Sequence, residues 1–194
     1  MNVGDLHEQE LHVINRLLAG DTEAYEELVR RYEKPIINYI FRLVQNVDEA
    51  MDIAQEVFVK AYYALDKYDS SYRFSTWLYR IARNAAIDAL RKRQGFERSL
   101  DEPLRGAGGA EVPLQVPSMD DTPEERVQSR EFAVKFSEAV ESLPTEYREV
   151  ITLRHINECS YIEIADLCGI PIGTVKNRIF RGREMLRKKL EGVI

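Results

Sequence analysis

The side chains best suited to chemistry in this chain are cations and one amide near its C-terminus. Lys176, Asn177, Arg178, Arg181 and Arg183 lie within a single eight-residue stretch. An arginine guanidinium offers several donors in a fixed fork that fits a guanine edge, and lysine and arginine both neutralise phosphates. These residue types therefore predict binding to nucleic acid.

Two short predicted helices joined by a tight turn hold this basic segment. Ser160 and Glu163 have the spacing of a capping box, which begins the first helix. Gly169 can adopt a left-handed conformation and end it, and Pro171 suits the first turn of the next helix. Ala165 is small enough to let the two helices approach. The inward residues of the second helix are predicted to be Val175, Ile179 and Met185.

This spacing is typical of a helix-turn-helix, whose second helix enters the major groove of DNA. The alternative is an ordinary helical hairpin with a solvated basic face, because short motifs also occur by chance.

The distribution of charge bears on these alternatives. The net charge is −6. Nevertheless, residues 61–96 carry seven basic and three acidic side chains, and residues 171–194 carry seven basic and two acidic side chains. Phosphates attract such basic segments. The acidic stretches between them weaken non-specific DNA binding and suit a basic protein partner.

The sequence does not indicate a zinc protein, an enzyme or a membrane protein. The two cysteines, Cys159 and Cys168, are not clustered with histidines, so they are predicted to be small buried thiols rather than zinc ligands. No catalytic constellation or phosphate-binding loop is present, so we expect neither an enzyme nor a cofactor. No apolar run could span a bilayer and no secretory signal is recognised, so we expect a cytoplasmic protein without membrane insertion.

Apolar periodicity predicts an all-α fold of two helical domains. A break or kink is expected at Pro35, inside the second helix. Gly- and Pro-rich composition predicts a flexible linker over residues 96–122, between domains 1–95 and 123–194. The predicted helices are Leu6–Ala19, Thr22–Val44, Val47–Leu65, Phe74–Arg93, Glu124–Leu143 and Glu146–Ile156, followed by the helix-turn-helix.

Two polar faces lie on the third and fourth predicted helices. The third carries a stripe of Asp52, Gln55, Glu56, Val59 and Tyr63 beside its apolar stripe, and a solvated face is the alternative interpretation. The fourth follows an aromatic-flanked loop, and its cations and asparagine could bind single-stranded DNA, with bases stacked on aromatic rings. The polar face of this fourth helix consists of Arg80, Arg83, Asn84 and Arg91.

Two long segments resemble a known family. Residues 52–93, DIAQEVFVKAYYALDKYDSSYRFSTWLYRIARNAAIDALRKR, are similar to region two of extracytoplasmic-function (ECF) sigma factors, group 4 of the sigma-70 family. Residues 143–190, LPTEYREVITLRHINECSYIEIADLCGIPIGTVKNRIFRGREMLRKKL, are similar to region four. The two segments occur in the family's order with a linker between them, and the resemblance covers roughly residues 10–190.

The resemblance implies partners and residue roles. It implies binding to core RNA polymerase through the β′ clamp and the β flap, to promoter DNA, and to an anti-sigma factor. The implied contacts with the β′ clamp are Asp52, Gln55 and Glu56. The implied readers of the minus-ten element are Lys60, Tyr68, Arg80, Arg83 and Asn84. The implied readers of the minus-thirty-five element are Arg154, Thr174, Lys176, Asn177, Arg178, Phe180 and Arg181.

A stand-alone helix-turn-helix regulator is the alternative function. In that case the first domain would sense a ligand or dimerise. The acidic stripe, the aromatic loop and the Trp-containing basic helix within residues 46–93 have no purpose in a simple repressor. They favour the sigma factor, in which the polymerase rather than this chain performs the chemistry.

Overall fold

A computed structural model describes the backbone of residues 3–99 and 134–191 and the side chains of residues 7–93 and 134–191. Every regular element within these ranges is a helix, which confirms the predicted all-α class. No helix in the described part of the chain combines the length and the apolarity that a bilayer span requires.

The chain divides into two compact units, Met1–Arg105 and Gly106–Ile194, called below the N-terminal unit and the C-terminal unit. Most of the predicted linker, from residue 100 onward, lies outside the described residues. The predicted domain boundaries therefore stay predictions.

Residues 3–99 of the N-terminal unit form four α-helices and one turn of 3₁₀ helix. Helix α2 packs against α1, α3 and α4, and α3 packs against α4. Asn46 begins α3, because its side chain accepts a hydrogen bond from the Glu49 N–H at 2.9 Å. The elements are α1 (Val3–Leu18), α2 (Ala24–Val44), α3 (Val47–Tyr63), the 3₁₀ turn (Leu65–Lys67) and α4 (Phe74–Ser99).

Aromatic rings form much of the core of this unit. The Tyr39 and Tyr79 rings meet edge to face with their centroids 5.2 Å apart, and the Phe74 ring lies 5.6 Å from both Tyr32 and Trp77. All five side chains are buried. Edge-to-face pairs add stabilisation beyond the burial of apolar area, so α4 is fixed firmly against α2.

A buried carboxylate ties α1 to α2. Glu10 is 1% exposed, accepts a hydrogen bond from the Tyr32 hydroxyl, and lies 4.0 Å from the Arg31 guanidinium. Burial, followed by the bond to Glu10, raises the pKa of Tyr32. Buried polar groups need such partners, so this contact fixes the docking of α1. This contact was not predicted.

The structure changes two expectations for the N-terminal helices. Of the break or kink expected at Pro35, the break is wrong, because α2 continues through this residue, and the kink stays a prediction. Tyr32 and Ile36 are buried, and packing of this kind offsets a lost hydrogen bond. Helix α4 extends to Ser99, beyond the predicted end at Arg93.

The buried face of α4 also differs from expectation. Tyr79 and Ala86 belong to the core, whereas four residues expected there are only half-buried. These four are Ile81, Ala85, Ala89 and Leu90.

The C-terminal unit contains the helix-turn-helix. Ser160 and Glu163 form the predicted capping box, with Glu163 accepting from the Ser160 N–H at 2.7 Å and Ser160 accepting from the Glu163 N–H at 3.2 Å. Gly169 ends the first helix of the motif at φ 64°, in the left-handed conformation that was predicted. The elements are α5 (134–141 within the described residues), α6 (Thr145–His155), α7 (Tyr161–Cys168) and α8 (Ile172–Leu190).

Helix α8 buries one face against α6 and α7. Val175, Ile179, Gly182 and Leu186 are buried, whereas Met185, predicted to face inward, is half-buried. At 3.6 residues per turn, position 186 returns to the direction of position 175 and position 185 does not. The prediction was therefore one residue out of phase.

Gly182 marks the closest approach of α8 to α6. A Cβ atom at this position would lie 2.8 Å from the Ile151 Cγ1 atom, so no larger residue fits without movement. Cys159 and Cys168 are both buried and are not joined in a disulfide, as expected for small packing residues.

Candidate nucleic-acid and protein interfaces

A shallow groove on α3 contains four of the five residues of the predicted acidic stripe, all except Tyr63. Asp52, Gln55, Glu56, Val59 and Lys60 line a space of about 620 Å³. All five are exposed, while the opposite face of α3 supplies buried residues to the core. The carboxylates therefore point to solvent and are available to a partner. We call this surface the acidic groove.

Lys60 belongs to the acidic groove by position. Its ammonium lies 3.1 Å from the Glu56 carboxylate, an exposed pair one helical turn apart. Exposed pairs of this kind contribute little to stability. The predicted contact of Lys60 with minus-ten DNA stays a prediction.

Apolar side chains extend the acidic groove along α3. Met51, Val59 and Tyr63 are 46%, 56% and 78% exposed. Val59 follows Met51 by eight residues, with Gln55 midway between them, and Tyr63 follows Val59 by four. Interfaces combine such apolar area with charge, whereas phosphates would be repelled by Asp52. The surface suits a basic protein. Met51 was missed, although extension of the stripe by one turn would have found it.

Tyr68 anchors the predicted aromatic loop, residues 68–73, which connects the 3₁₀ turn to α4. Its hydroxyl donates to the Tyr72 carbonyl at 2.6 Å, and its ring centroid lies 5.6 Å from Phe74 and 5.4 Å from Trp77. Burial, with smaller contributions from nearby Glu10 and Asp69, raises the pKa of Tyr68 to about 12. The Tyr68 ring is thus half-buried against Phe74 and Trp77, and this packing supports the loop.

A second loop feature was not predicted. Tyr72 is 57% exposed, beside a turn that Asp69 closes by accepting from both the Ser71 N–H and the Ser71 hydroxyl. An exposed tyrosine on an ordered turn can stack on an unpaired base. The aromatic composition of the loop was the available signal.

The polar face of α4 follows directly after this loop. Arg80 and Asn84 are exposed and four residues apart, so they share one face of the helix. Arg83 is half-buried beside them. The three predicted residues are therefore brought together on α4.

Six of the seven predicted duplex-reading residues lie on α8, and Arg154 lies on α6. Lys176, Asn177 and Arg181 are exposed, and Phe180 is 66% exposed. Thr174, Asn177, Arg178 and Arg181 line a groove of about 350 Å³. We call this surface the cationic groove; its other walls are Glu146, Tyr147 and Gly173.

Two further contacts of the C-terminal unit involve cations that do not line the cationic groove. Arg154 Nη1 donates to the Cys159 carbonyl at 3.0 Å, and its guanidinium lies 5.2 Å from the Tyr161 ring centroid, so Arg154 braces the connection between α6 and α7. Arg183 donates to His155 Nε2 at 3.1 Å. Burial, followed by repulsion from Arg183 and Arg154, lowers the pKa of His155. The part of Arg154 in DNA binding stays a prediction.

Family models match both units. The Sigma-70 region 2 model matches residues 28–96, and the Sigma-70 region 4 model matches residues 133–186. The first match contains the acidic groove, the aromatic loop and the polar face of α4. The second contains the cationic groove.

Whole-chain relatives agree with this. The ECF RNA polymerase sigma factor SigW of Bacillus subtilis (strain 168) is 42% identical over 177 residues, which cover 91% of this chain and 94% of the relative. The ECF RNA polymerase sigma-E factor of Escherichia coli (strain K12) is 36% identical over 182 residues, 94% of each chain. The chain therefore belongs to the ECF group of the sigma-70 family of RNA polymerase sigma factors.

A solved structure supports the same conclusion. The sigma factor RpoE from Bartonella quintana, crystallised in complex with the anti-sigma factor NepR, is 25% identical with a TM-score of 0.70 over 86% of this chain and 96% of that one. As a sigma factor the chain directs transcription initiation and is not itself an enzyme, which confirms both predictions. The stand-alone regulator is not favoured, because region 2 is present.

Proposed function

We propose that this sigma factor binds its partners through three separate surfaces. The acidic groove binds core RNA polymerase at the β′ clamp. The polar face of α4, with the aromatic loop, binds the unpaired non-template strand of the minus-ten element. The cationic groove of α8 reads the minus-thirty-five element as duplex, while the C-terminal unit contacts the β flap.

The observation that carries this proposal is the contrast between two neighbouring helices of one unit. Helix α3 exposes Asp52 and Glu56 among apolar side chains, whereas α4 exposes Arg80 and Asn84 and the loop before it exposes Tyr72. The first combination favours a basic protein surface and disfavours DNA. The second combines cations for phosphates with a ring for bases, and stacking offsets the few kcal/mol that strand opening costs.

Regulation by an anti-sigma factor is part of the proposal. The solved relative was crystallised with such a factor. Exposed Val59, Tyr63 and Phe180 give a protein inhibitor apolar area on the surfaces that polymerase and DNA also use. Because polymerase and chromosome share the bacterial cytoplasm, we propose that the chain acts there.

Run-off transcription tests the proposal. Core polymerase should produce discrete transcripts from genomic fragments of the source bacterium when this chain is added, and none from the same fragments with core polymerase alone. A chain that binds core polymerase without starting transcription at any discrete site would contradict the DNA-reading roles. A chain that fails to bind core polymerase would contradict the role of the acidic groove.

A further inference from the structure

One arginine of the cationic groove differs from its neighbours. Arg178 Nη2 lies 3.4 Å from the Glu146 carboxylate of α6, and the Arg178 side chain is 27% exposed. Lys176 and Arg181, on the same helix, are exposed. A carboxylate within a groove that is otherwise suited to phosphates needs an explanation.

The backbone that carries this carboxylate is positioned by the packing of two helices. Glu146 lies in the first turn of α6, where a negative charge is stabilised by the helix dipole. Helix α6 contacts α8 closely at Ile151 and Gly182, both of them buried. The carboxylate therefore reaches Arg178 from a separate, tightly packed helix rather than from α8 itself.

The chemistry of the pair follows from its geometry. Glu146 accepts one edge of the Arg178 fork, and the remaining guanidinium donors stay available to the cationic groove that both residues line. A carboxylate repels phosphates, so it opposes a swing of Arg178 towards the DNA backbone. Phosphate contacts add affinity for every sequence, whereas base contacts distinguish sequences.

We propose that Glu146 is a positioning residue that holds Arg178 for base reading and keeps it from phosphates. Glu146 thus lowers affinity for random duplex and raises the sequence specificity of the upstream element. This inference rests on the proposed reading of duplex DNA by α8.

The test uses the full chain and a library of duplexes with a randomised central segment. Bulk affinity for the unselected library is measured from about 50 to 200 mM salt, and the sequences that each variant enriches are then read. The variants are Glu146→Gln, which keeps the shape and removes the charge, and Glu184→Gln as a matched control. Glu184 lies on α8 and pairs with Arg187 at 3.3 Å, so both changes remove one carboxylate from a carboxylate–arginine pair.

Glu146→Gln should bind the unselected library about fivefold more tightly than Glu184→Gln at the low-salt end, with a salt slope steeper by about 0.9, since one more phosphate is neutralised. It should also lose selectivity at one or two base positions. In an Arg178→Gln background, Glu146→Gln should have no effect beyond that of the control, because the two residues act as one unit. Circular dichroism confirms that each variant is folded.

Three results would overturn the inference. Equal behaviour of Glu146→Gln and Glu184→Gln would remove the positioning role. Persistence of the Glu146→Gln effect in the Arg178→Gln background would show that Glu146 acts on DNA directly. A wild-type chain that enriches no sequence would remove the duplex-reading role of α8, and run-off transcription would show separately whether the proposed function survives.

Discussion

Both units expose cations on a helix, but the surroundings of those cations differ. In the N-terminal unit, Arg80 and Asn84 on α4 follow an aromatic loop whose Tyr72 is exposed. In the C-terminal unit, the cations of α8 lie beside Glu146, which is held by a second helix. Aromatic rings can stack on unpaired bases, whereas donors in a fixed arrangement can read base edges in the groove of a duplex. The neighbours of the cations, more than their number, therefore distinguish single strand from duplex.

The largest expected effect tests the acidic groove, which is proposed to bind protein. Asp52→Lys combined with Glu56→Lys should lower run-off transcription about a hundredfold, if each reversal costs about 1.4 kcal/mol of polymerase affinity. Both side chains are exposed, so the fold should persist. Glu26→Lys with Glu33→Lys, elsewhere on the same unit, is the matched control. Equal activity of the two double variants would identify the acidic groove as merely solvated.

A smaller effect concerns the support of the aromatic loop. Tyr68→Ala removes a half-buried ring from Phe74 and Trp77 and should destabilise the N-terminal unit by about 2–3 kcal/mol. Tyr68→Phe loses only the hydrogen bond to Tyr72 and should cost about 1 kcal/mol. Chemical denaturation followed by Trp77 fluorescence measures both. If Tyr68→Phe keeps its stability but loses binding to unpaired minus-ten DNA, the hydroxyl contacts the strand directly.

On the duplex-reading side, Arg181→Ala should reduce binding to the selected element by about 1–3 kcal/mol relative to random duplex. Lys188→Ala, in the last turn of α8, should weaken both duplexes alike if it acts only on phosphates. Titrations at several salt concentrations separate the two behaviours. An equal loss on both duplexes for Arg181→Ala would leave it only an electrostatic role.

The smallest effects are opposite pH responses of the two units. Burial raises the pKa of Tyr68 to about 12, so the folded N-terminal unit keeps a proton that the unfolded chain loses near pH 10, and its stability should fall as pH rises from 10 through 12. The pKa of His155 is lowered, so the unfolded chain takes up a proton first, and the C-terminal unit should weaken as pH falls below 6.5.

Each pH response has its own control. His155→Gln should remove part of the loss of stability at acid pH and leave the loss at alkaline pH unchanged. Tyr68→Phe should remove part of the loss of stability at alkaline pH and leave the loss at acid pH unchanged. Amide hydrogen exchange, which reports the two units separately, measures both. A loss of C-terminal protection below pH 6.5 that His155→Gln does not reduce would assign the titration to another group.

Local signals in the sequence were sufficient for much of this molecule. Ser160 and Gly169 act within three or four residues of themselves, and each begins or ends a helix as predicted. The polar faces of α3, α4 and α8 also follow from helical periodicity alone. What one helix exposes can therefore be predicted with no knowledge of its neighbours.

The missed features depend on contacts that are distant in sequence. Glu10 is 22 positions from Tyr32, and Glu146 is 32 positions from Arg178. Nothing near either acid marks it as a partner, because the pairing exists only after helices have packed. Met185 was misplaced for the related reason that a small error of phase exchanges adjacent residues on a helix.

The packing of α8 also bears on how such proteins diverge. Its buried face is Val175, Ile179, Gly182 and Leu186, and none of these four lines the cationic groove. After gene duplication, a copy could accumulate changes at exposed positions such as Asn177 and Arg181 with little loss of stability. New promoter preferences could then arise on an inherited scaffold, whereas any larger residue at position 182 would force Ile151 to move.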